Sequence, residues 1–537
     1  MFRRLRPTTV ALTALVGLAA VLRFWGLDFG LPHTQARPDE TQVINVALQF
    51  IQGNLQPNFF DYPWLYMKFS AAAYLGYYGL GLTAGWFTSI ADFVRSWPQN
   101  WEPFFLINRS ISAVCGTLTV VALYSVTRRL YDRATALSAA ALLATAFLHV
   151  RESHYGTTDA MMTLFVMLST VWLVDGHQTG RPRSFVLAGV LGGLAAATKY
   201  NAGIVMFPVI VSQIIQMGDA FTHRQRPRFD GRVFWFGVPS ALAFMVGGHF
   251  LLHDFDRFQV AMTALSASMA TGHGTGGVAL SNGWLQHLQY SLLPGVGAPM
   301  LAFAALGIGL SLRRDWRLAL VLLTLPIGYF LVIGSVRNLF FRYALPLVPF
   351  LCLLAAHAIL QTTRRLTRSA PGWALVAAAL LTVVVAAPSA YSVVRYNHVA
   401  SRTDSRVMLS RWFLSSVPHQ ATIVQSGSPY GYAQFPPDTF TTWPWDRRLR
   451  SFVDRSGRHA EGLPDYIVLQ ESPLPSTTQP EVIAWLAQGY DLAHQIRAFS
   501  TNRDRVYDLQ DAFFIPIAGF AGVERPGPNF LVYRKRE

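Results

Sequence analysis

The chain has 537 residues, of which 52% are hydrophobic and only 14% are charged. Soluble globular chains carry about 25% charged residues, so an ordinary soluble enzyme is excluded. The formal net charge of +15 raises the question of a nucleic-acid partner, which is decided by where the basic residues lie.

Long apolar stretches recur from residue 8 to residue 392, with charge confined to short bursts between them. The basic residues there form six clusters: Arg3/Arg4/Arg6, Arg128/Arg129/Arg133, Arg181/Arg183, Arg224/Arg226/Arg228/Arg232, Arg313/Arg314/Arg317 and Arg364/Arg365/Arg368. Each lies between apolar segments or ahead of the first, the pattern of loops held in the cytoplasm. The tail from 393 onward holds 16 basic and 14 acidic residues and is nearly neutral. The basic balance therefore reports membrane orientation, and no nucleic-acid partner is expected.

The first apolar segment, 8–27, follows FRRLR and reads as an uncleaved signal anchor, because residues 23–27 lack a clear cleavage signature. If all six clusters are cytoplasmic, an even number of crossings separates each successive pair. Three apolar segments lie between Arg6 and Arg128: 8–27, 64–90 and 104–127. Parity is kept if 64–90, rich in Tyr and Gly and holding Lys68, lies along the surface or re-enters. The alternative is that it crosses and one cluster is misplaced. Residues 28–103 then form one large outer loop. Further spans are predicted at 134–149, 160–175, 184–198, 201–217, 233–252, 292–312, 318–335, 344–361 and 373–392, for about eleven crossings. They place 151–159, Lys199–Tyr200, 253–291 and 336–343 outside.

After residue 392 charges appear every few residues and no apolar run reaches spanning length. The chain thus reads as an α-helical polytopic membrane domain, 1–392, and an extracytoplasmic soluble domain, 393–537. Strands are predicted at 421–427, 464–470 and 529–536 and a helix near Val482–Gln488, a small α/β domain. Trp443 and Trp445 in it fit either core packing or stacking on sugars. Cys115 and Cys352 fall within apolar spans and imply no disulfide.

Of 15 acidic residues in the membrane part, ten fall in the outer loops, and acids do little to set topology. Their accumulation invites a chemical reason. In RPDETQVINVALQFIQG, Pro38 suits the first helical position and Asp39 and Glu40 suit the positive first turn. Ile44, Ala47, Leu48 and Ile51 line one face of that helix and Gln42, Asn45, Gln49 and Gln52 another, which suits a membrane surface. Gly53 can end it. In RESHYGTTDAMM, Asp159 opens a span, and Thr158 or Asp159 can cap it. For Asp39, Glu40 and Asp159, helix capping and chemistry both remain open here. His154 fits an interfacial polar residue or a ligand. Lys199 and Arg342 lie at the outer ends of spans, where snorkelling or holding a lipid phosphate are both open. In GGHFLLHD, His249, His253 and Asp254 are candidate ligands of a divalent metal ion.

RFWGLDFGLPHTQARPDE, FFDYPWLYMKF, HYGTTDAMM, TKYNAG and FRYALPLVPF occur in this order across residues 1–392. Together they resemble the motifs of integral-membrane glycosyltransferases that use polyprenyl-phosphate sugars, among them protein O-mannosyltransferases and lipid A aminoarabinose transferases. The resemblance implies the GT-C fold, with surface-lying helices in the first outer loop. It implies a lipid-linked sugar donor, a hydroxyl acceptor on protein, lipid or polysaccharide, and chemistry on the outer face of an inner or plasma membrane. By motif it makes Asp39 the catalytic base candidate, Glu40 its neighbour and Asp159 a support for the acceptor or a metal. Lys199 and Arg342 face the donor phosphate, and Asp61, Tyr62, His154 and Tyr155 are candidate substrate contacts. Asp61–Tyr62 stand where aminoarabinose transferases carry Glu-Lys, so their sugar and metal arrangement does not carry over.

These residue types suit that chemistry. A phosphate leaving group needs cations to stabilise developing charge. A hydroxyl acceptor needs a carboxylate base as it attacks. One base without a carboxylate nucleophile implies single displacement with inversion. The competing class is a transporter or lipid flippase, which would favour charges within spans and inverted repeats. No internal repeat is evident, and the ionisable residues gather at one face.

Overall fold

The computed structural model describes residues 7–222, 229–271, 282–474, 476–500, 505–509, 511 and 514–536. The clusters Arg3/Arg4/Arg6 and Arg224/Arg226/Arg228, and residues 272–281 of the predicted outer loop 253–291, lie outside them. The chain forms two compact units. Among the described residues the first takes 7–25, 39–271 and 282–394, and the second takes 26–38 and 395–536. The units part at Val394 rather than at 392, and 28–38 of the predicted outer loop belongs with the second unit.

Helices build the first unit. By length and composition eight described helices can cross a membrane, the first at Pro7–Phe24 and the last beginning at Pro371. A ninth crossing is formed if Gly283–Val296 and Ala298–Arg314, bent by 108° at Gly297, make one span. Two shorter apolar helices, Arg133–Ala144 and Pro182–Thr198, occupy the positions of two further predicted spans. The chain is thus a multi-pass membrane protein. The helix Leu65–Thr83, within the segment 64–90, is not among the eight.

Two predicted spans differ in form for identifiable reasons. The span expected at 134–149 stops at Ala144 and a short helix, Phe147–Glu152, follows. Arg23 causes the break to be tolerated: its guanidinium, fully buried, donates to the carbonyls of Leu143 at 3.1 Å and Ala144 at 3.3 Å. It thereby adds side-chain donors to carbonyls at the helix end, where Leu143 also accepts from the Ala146 amide at 3.3 Å. The spans expected from 201 and 344 open as tight 3-10 turns, Tyr200–Met206 and Phe341–Leu347. Lys199 immediately precedes the first and Arg342 sits inside the second.

Small residues let the helices approach closely. A Cβ at Gly189 would lie 2.2 Å from the Phe236 carbonyl oxygen, and one at Gly193 would lie 2.2 Å from that of Ser240. The charged residues separate by helix end. Arg364 bonds Asp132 at 2.5 Å, Arg129 lies 3.8 Å from Asp175, and Arg314 stacks 4.9 Å over Tyr131. These are all cluster residues or their neighbours, at the opposite helix ends from Asp159, Lys199 and Arg342.

The second unit contains a five-stranded sheet of β1 (Thr422–Ser426), β2 (Thr441–Trp443), β5 (Tyr466–Glu471), β6 (Tyr490–Ile496) and β7 (Asn529–Lys535), in the order β2-β1-β5-β7-β6. A two-stranded pair, β3 (Trp445–Asp446) and β4 (Ser451–Phe452), stands beside it in sequence. β1 runs parallel to β2 and β5, and β7 runs antiparallel to β5 and β6. The helix Ser405–Ser416 covers one face: its Leu409 and Phe413 join Ile423, Val468, Phe530 and Val532 in one core. The helix Pro480–Leu486 covers the other, with Val482 against Val424, Phe452 and Ile467. Trp443 and Trp445 pack against this second core. β6 and the helix Ser405–Ser416 carry many polar residues, so their hydropathy did not mark them.

Candidate active site

The helix Pro38–Ile51 opens the site as its sequence suggests, with Asp39 and Glu40 in the first turn. Its apolar side, Val43, Ile44, Val46, Ala47 and Leu48, is buried inside the protein. The reason is local: the aromatic segment that follows folds back over it, with Phe50 and Trp64 rings 5.8 Å apart and the Trp97 indole donating to Asn45 Oδ1 at 3.1 Å.

Asp39 and Glu40, neighbours in sequence, have different fates. Glu40 is fully buried and takes two bonds from Arg109, Nε to Oε1 at 2.9 Å and Nη2 to Oε2 at 2.7 Å. The Gly156 amide also donates to its Oε1 at 2.7 Å. Glu40 therefore joins the first-loop helix to Glu102–Leu130 and to the turn 153–157. Its carboxylate, named as the neighbour of the base candidate, is turned away from solvent into this ion pair. Asp39 keeps 35% of its side chain exposed and accepts from Arg342 Nη1 at 2.5 Å.

Asp159 lies in the first turn of Thr158–Thr179, whose N-cap is Thr157 without a side-chain bond. Capping by Thr158 or Asp159 is thereby overturned: the Asp159 carboxylate instead accepts from Lys199 Nζ at 2.7 Å, with both side chains buried. Lys199 also lies over the rings of Tyr62, at 5.5 Å, and Tyr343, at 5.1 Å. Burial works to lower the Lys199 ammonium, but Asp159 outweighs it and holds it above its usual value, with Asp39 adding to the effect. Tyr343 follows Arg342 in the same 3-10 turn. Two acid–cation pairs, Asp39–Arg342 and Asp159–Lys199, thus meet around Tyr62 and Tyr343. Only the Asp39 carboxylate keeps appreciable solvent access.

The turn carrying Asp61 and Tyr62 is held by Trp64, whose indole donates to the Phe59 carbonyl at 2.6 Å and whose amide donates to the Gly247 carbonyl at 2.8 Å. Tyr200 donates to the Phe60 carbonyl at 2.9 Å. Asp61 stays exposed, yet the atoms crowded round it raise its carboxyl above the usual range by desolvation. With Phe59, Phe60, Asp256, Val260 and Ala264 it lines an open cavity of about 620 Å³.

Two candidate substrate contacts and the three candidate metal ligands have other neighbours. His154 is buried, its ring nitrogens 2.8 Å from the Val150 carbonyl and 3.0 Å from that of Trp25, and burial pushes it down to about 4. Tyr155 is buried with the Arg151 guanidinium 5.3 Å from its ring, in a core that also holds the Arg151–Glu152 ion pair. His249 Nδ1 lies 3.1 Å from the Lys68 ammonium, a neighbour that opposes a cation, while His253 is exposed and Asp254 lies near Arg257. Among the described residues no three His, Cys, Asp or Glu side chains come together as a metal site. Asp39 and Asp159 are instead each paired with a cation.

The sequence reading missed Arg109 and Tyr343. Arg109 had a signal: it is a charged residue inside an apolar span, which calls for a partner. Tyr343 had none beyond its place after Arg342.

Residues 106–246 match the family model of dolichyl-phosphate-mannose-protein mannosyltransferases, about a quarter of the chain. No curated protein matches the sequence. Among solved structures, ArnT from Cupriavidus metallidurans in the apo state is 13% identical, covers 98% of both chains and superimposes with a TM-score of 0.54. The same protein bound to undecaprenyl phosphate is 13% identical over 90% of this chain and 96% of that one, with a TM-score of 0.49. The apo oligosaccharyltransferase of Archaeoglobus fulgidus is 13% identical over 77% of this chain, with a TM-score of 0.48, and this chain spans 58% of its length. The ArnT superposition shows that this chain has the GT-C fold.

Proposed function

We propose that this chain is a glycosyltransferase that moves a sugar from a polyprenyl-phosphate donor to a hydroxyl acceptor on protein, lipid or polysaccharide. The observation that carries it is the pair of buried cations, Arg342 and Lys199, set around a carboxylate that solvent still reaches, Asp39. The partial match to mannosyltransferases and the ArnT-like fold support the donor class.

The donor phosphate engages Arg342 and Lys199, which hold its charge as the sugar–oxygen bond breaks. A carboxylate held by a guanidinium is a poor base. When the phosphate takes up Arg342, Asp39 is released to accept the proton of the incoming hydroxyl. The acceptor oxygen attacks the anomeric carbon, the bond to the phosphate oxygen breaks with its electron pair, and polyprenyl phosphate leaves. One displacement inverts that carbon. Asp159 stays on Lys199 and fixes the ammonium beside Tyr62 and Tyr343. The cavity at Asp61 and Phe60, next to Tyr62, is the approach for the acceptor. A transporter reading leaves the two acid–cation pairs at one helix end without a task.

The site faces the outer side of an inner or plasma membrane, with the N-terminus in the cytoplasm and the tail domain outside it. A reporter active only in the cytoplasm, fused at the chain's end, stays silent in this orientation. The decisive test of activity is turnover of a purified polyprenyl-phosphate hexose with mass spectrometry of released polyprenyl phosphate. Release dependent on Asp39 supports the reading. No release from any hexosyl or pentosyl donor, with only bulk phospholipid co-purifying, overturns it.

A further inference from the structure

Charge in the tail unit is nearly balanced overall but unevenly placed. Strands β3 and β4 pair Trp445 with Phe452 and Asp446 with Ser451, which leaves Arg447, Arg448, Leu449 and Arg450 as the connecting loop. The base of this pair is anchored: the Trp445 ring lies 5.0 Å from that of Phe452, and Trp485 packs on Phe452 at 5.3 Å. Asp446 organises the loop backbone, its Oδ1 accepting from the Arg448 amide at 2.7 Å and the Leu449 amide at 2.9 Å. That carboxylate is thereby engaged in the turn and not with a guanidinium. All four loop residues are exposed, Leu449 by 58%. Among the described residues none of the three guanidiniums stands in an ion pair with a carboxylate.

A turn of this kind is built with least strain from Gly, Asn and Asp. Arg450 has a φ of +51°, where Gly or Asn is favoured, and still carries a long charged side chain. Three cations within four consecutive residues also repel one another, because salt screens charges only beyond about 10 Å. Backbone conformation and charge thus both work against this sequence in a free surface turn. An array of phosphates reverses the second effect, since each guanidinium can take two phosphate oxygens. Leu449 suits the boundary beneath the headgroups, where an apolar side chain leaves water while its basic neighbours stay at the phosphates. The chain itself supplies the source of those phosphates. The tail unit begins at Arg395, within Pro371–Ser416, the stretch that holds the last candidate span, so it is tethered to a bilayer. Tethering makes the contact intramolecular, and each Arg near an anionic surface then adds roughly five-fold to it. A dissolved polyanion has no such advantage.

We propose that the loop Arg447–Arg450 docks on the lipid headgroup layer, its three guanidiniums binding phosphates of anionic phospholipids and Leu449 entering the layer beneath them. All four residues belong to the tail unit, and the contact is independent of sugar transfer.

The test uses the full chain in nanodiscs of phosphatidylcholine, alone or mixed with phosphatidylglycerol. Phenylglyoxal, which modifies accessible arginines, is followed residue by residue with mass spectrometry. Arg497, exposed just after β6, is the internal reference. In the mixed discs Arg447, Arg448 and Arg450 react several-fold more slowly than in phosphatidylcholine, while Arg497 keeps its rate. Raising the salt removes that protection. Leu449→Ser weakens it, and because this side chain is exposed the variant keeps the fold. Protection undiminished in Leu449→Ser overturns the entry of Leu449 into the layer. Equal rates at the loop in both kinds of disc overturn the proposal outright. So does an equal slowing at Arg497, which makes the effect one of the charged surface on the reagent. Protection of the loop by dissolved dextran sulfate in phosphatidylcholine discs, with none from phosphatidylglycerol, assigns the loop to a soluble polyanion and also overturns lipid docking.

Discussion

Arg109 grips Glu40 through both carboxylate oxygens in a place that water does not reach, with neither side chain exposed. Removing one partner of such a pair strands the other charge and typically costs about 3–5 kcal/mol. Glu40→Gln and Arg109→Ala are therefore expected to lower the thermal midpoint of the detergent-solubilised protein and its folded yield. Any turnover lost should follow the folded fraction. A Glu40→Gln protein with parental stability but no turnover would return Glu40 to the chemistry.

Asp39→Asn is expected to leave the fold intact. Asn still suits the first turn of a helix and the side chain is only partly buried. The variant lacks the base, which typically costs two to four decades in rate, on the order of 10²–10⁴. Donor binding should stay within a few-fold of the parent. Measured kcat within a few-fold of the parent, in folded protein, would rule Asp39 out as the base.

Arg342 and Lys199 differ in what their loss leaves behind. Arg342→Gln releases Asp39, which solvent reaches, so the protein should fold and lose mainly donor affinity, by about 1.5–3 kcal/mol. Lys199→Met strands Asp159, which is 2% exposed, and should also lower stability. Adding Asp159→Asn to Lys199→Met should restore the thermal midpoint without restoring donor binding. Parental donor affinity in all three proteins would favour snorkelling over phosphate binding.

Burial, aided by the charge of Arg406, pushes His33 down to about 3, while Asp404 and the Tyr432 carbonyl work the other way. The folded chain therefore keeps His33 neutral where the unfolded chain protonates. This contribution is fully present above about pH 6.5 and falls by roughly 1.4 kcal/mol for each pH unit below that, down to about 3. Asp404, held low by Arg406 against the effect of its burial, loses its contribution only below the ordinary carboxylate range. Between pH 6.5 and 4.5 the thermal midpoint should therefore fall, and His33→Gln should flatten that fall. Identical slopes for parent and variant would show that His33 is not the group that titrates.

The spans were legible because hydropathy is local and additive: a stretch of apolar residues is apolar whatever it packs against. The strands Thr422–Ser426, Tyr466–Glu471 and Asn529–Lys535 were legible for the same reason. The helix Ser405–Ser416 and strand Tyr490–Ile496 were not, because each presents only part of itself to the core and the remaining polar residues dilute the pattern. His154 and Tyr155 sat in the right motif and fold into the core beneath it.

By itself the sequence determined that the chain lives in a membrane, that its acids gather in one set of loops, and that Asp159, Lys199 and Arg342 stand at the ends of apolar segments. Tertiary structure alone decided which of them meet. Arg342 is 303 residues from Asp39 and Lys199 is 40 from Asp159, and no local pattern joins either pair. It also decided between Asp39 and Glu40, which share one helical turn. Successive residues point about 100° apart on a helix, so one of the two had to face the protein interior. Which one depended on where the helix Glu102–Leu130 placed Arg109, and that is a property of packing that adjacent residues do not encode.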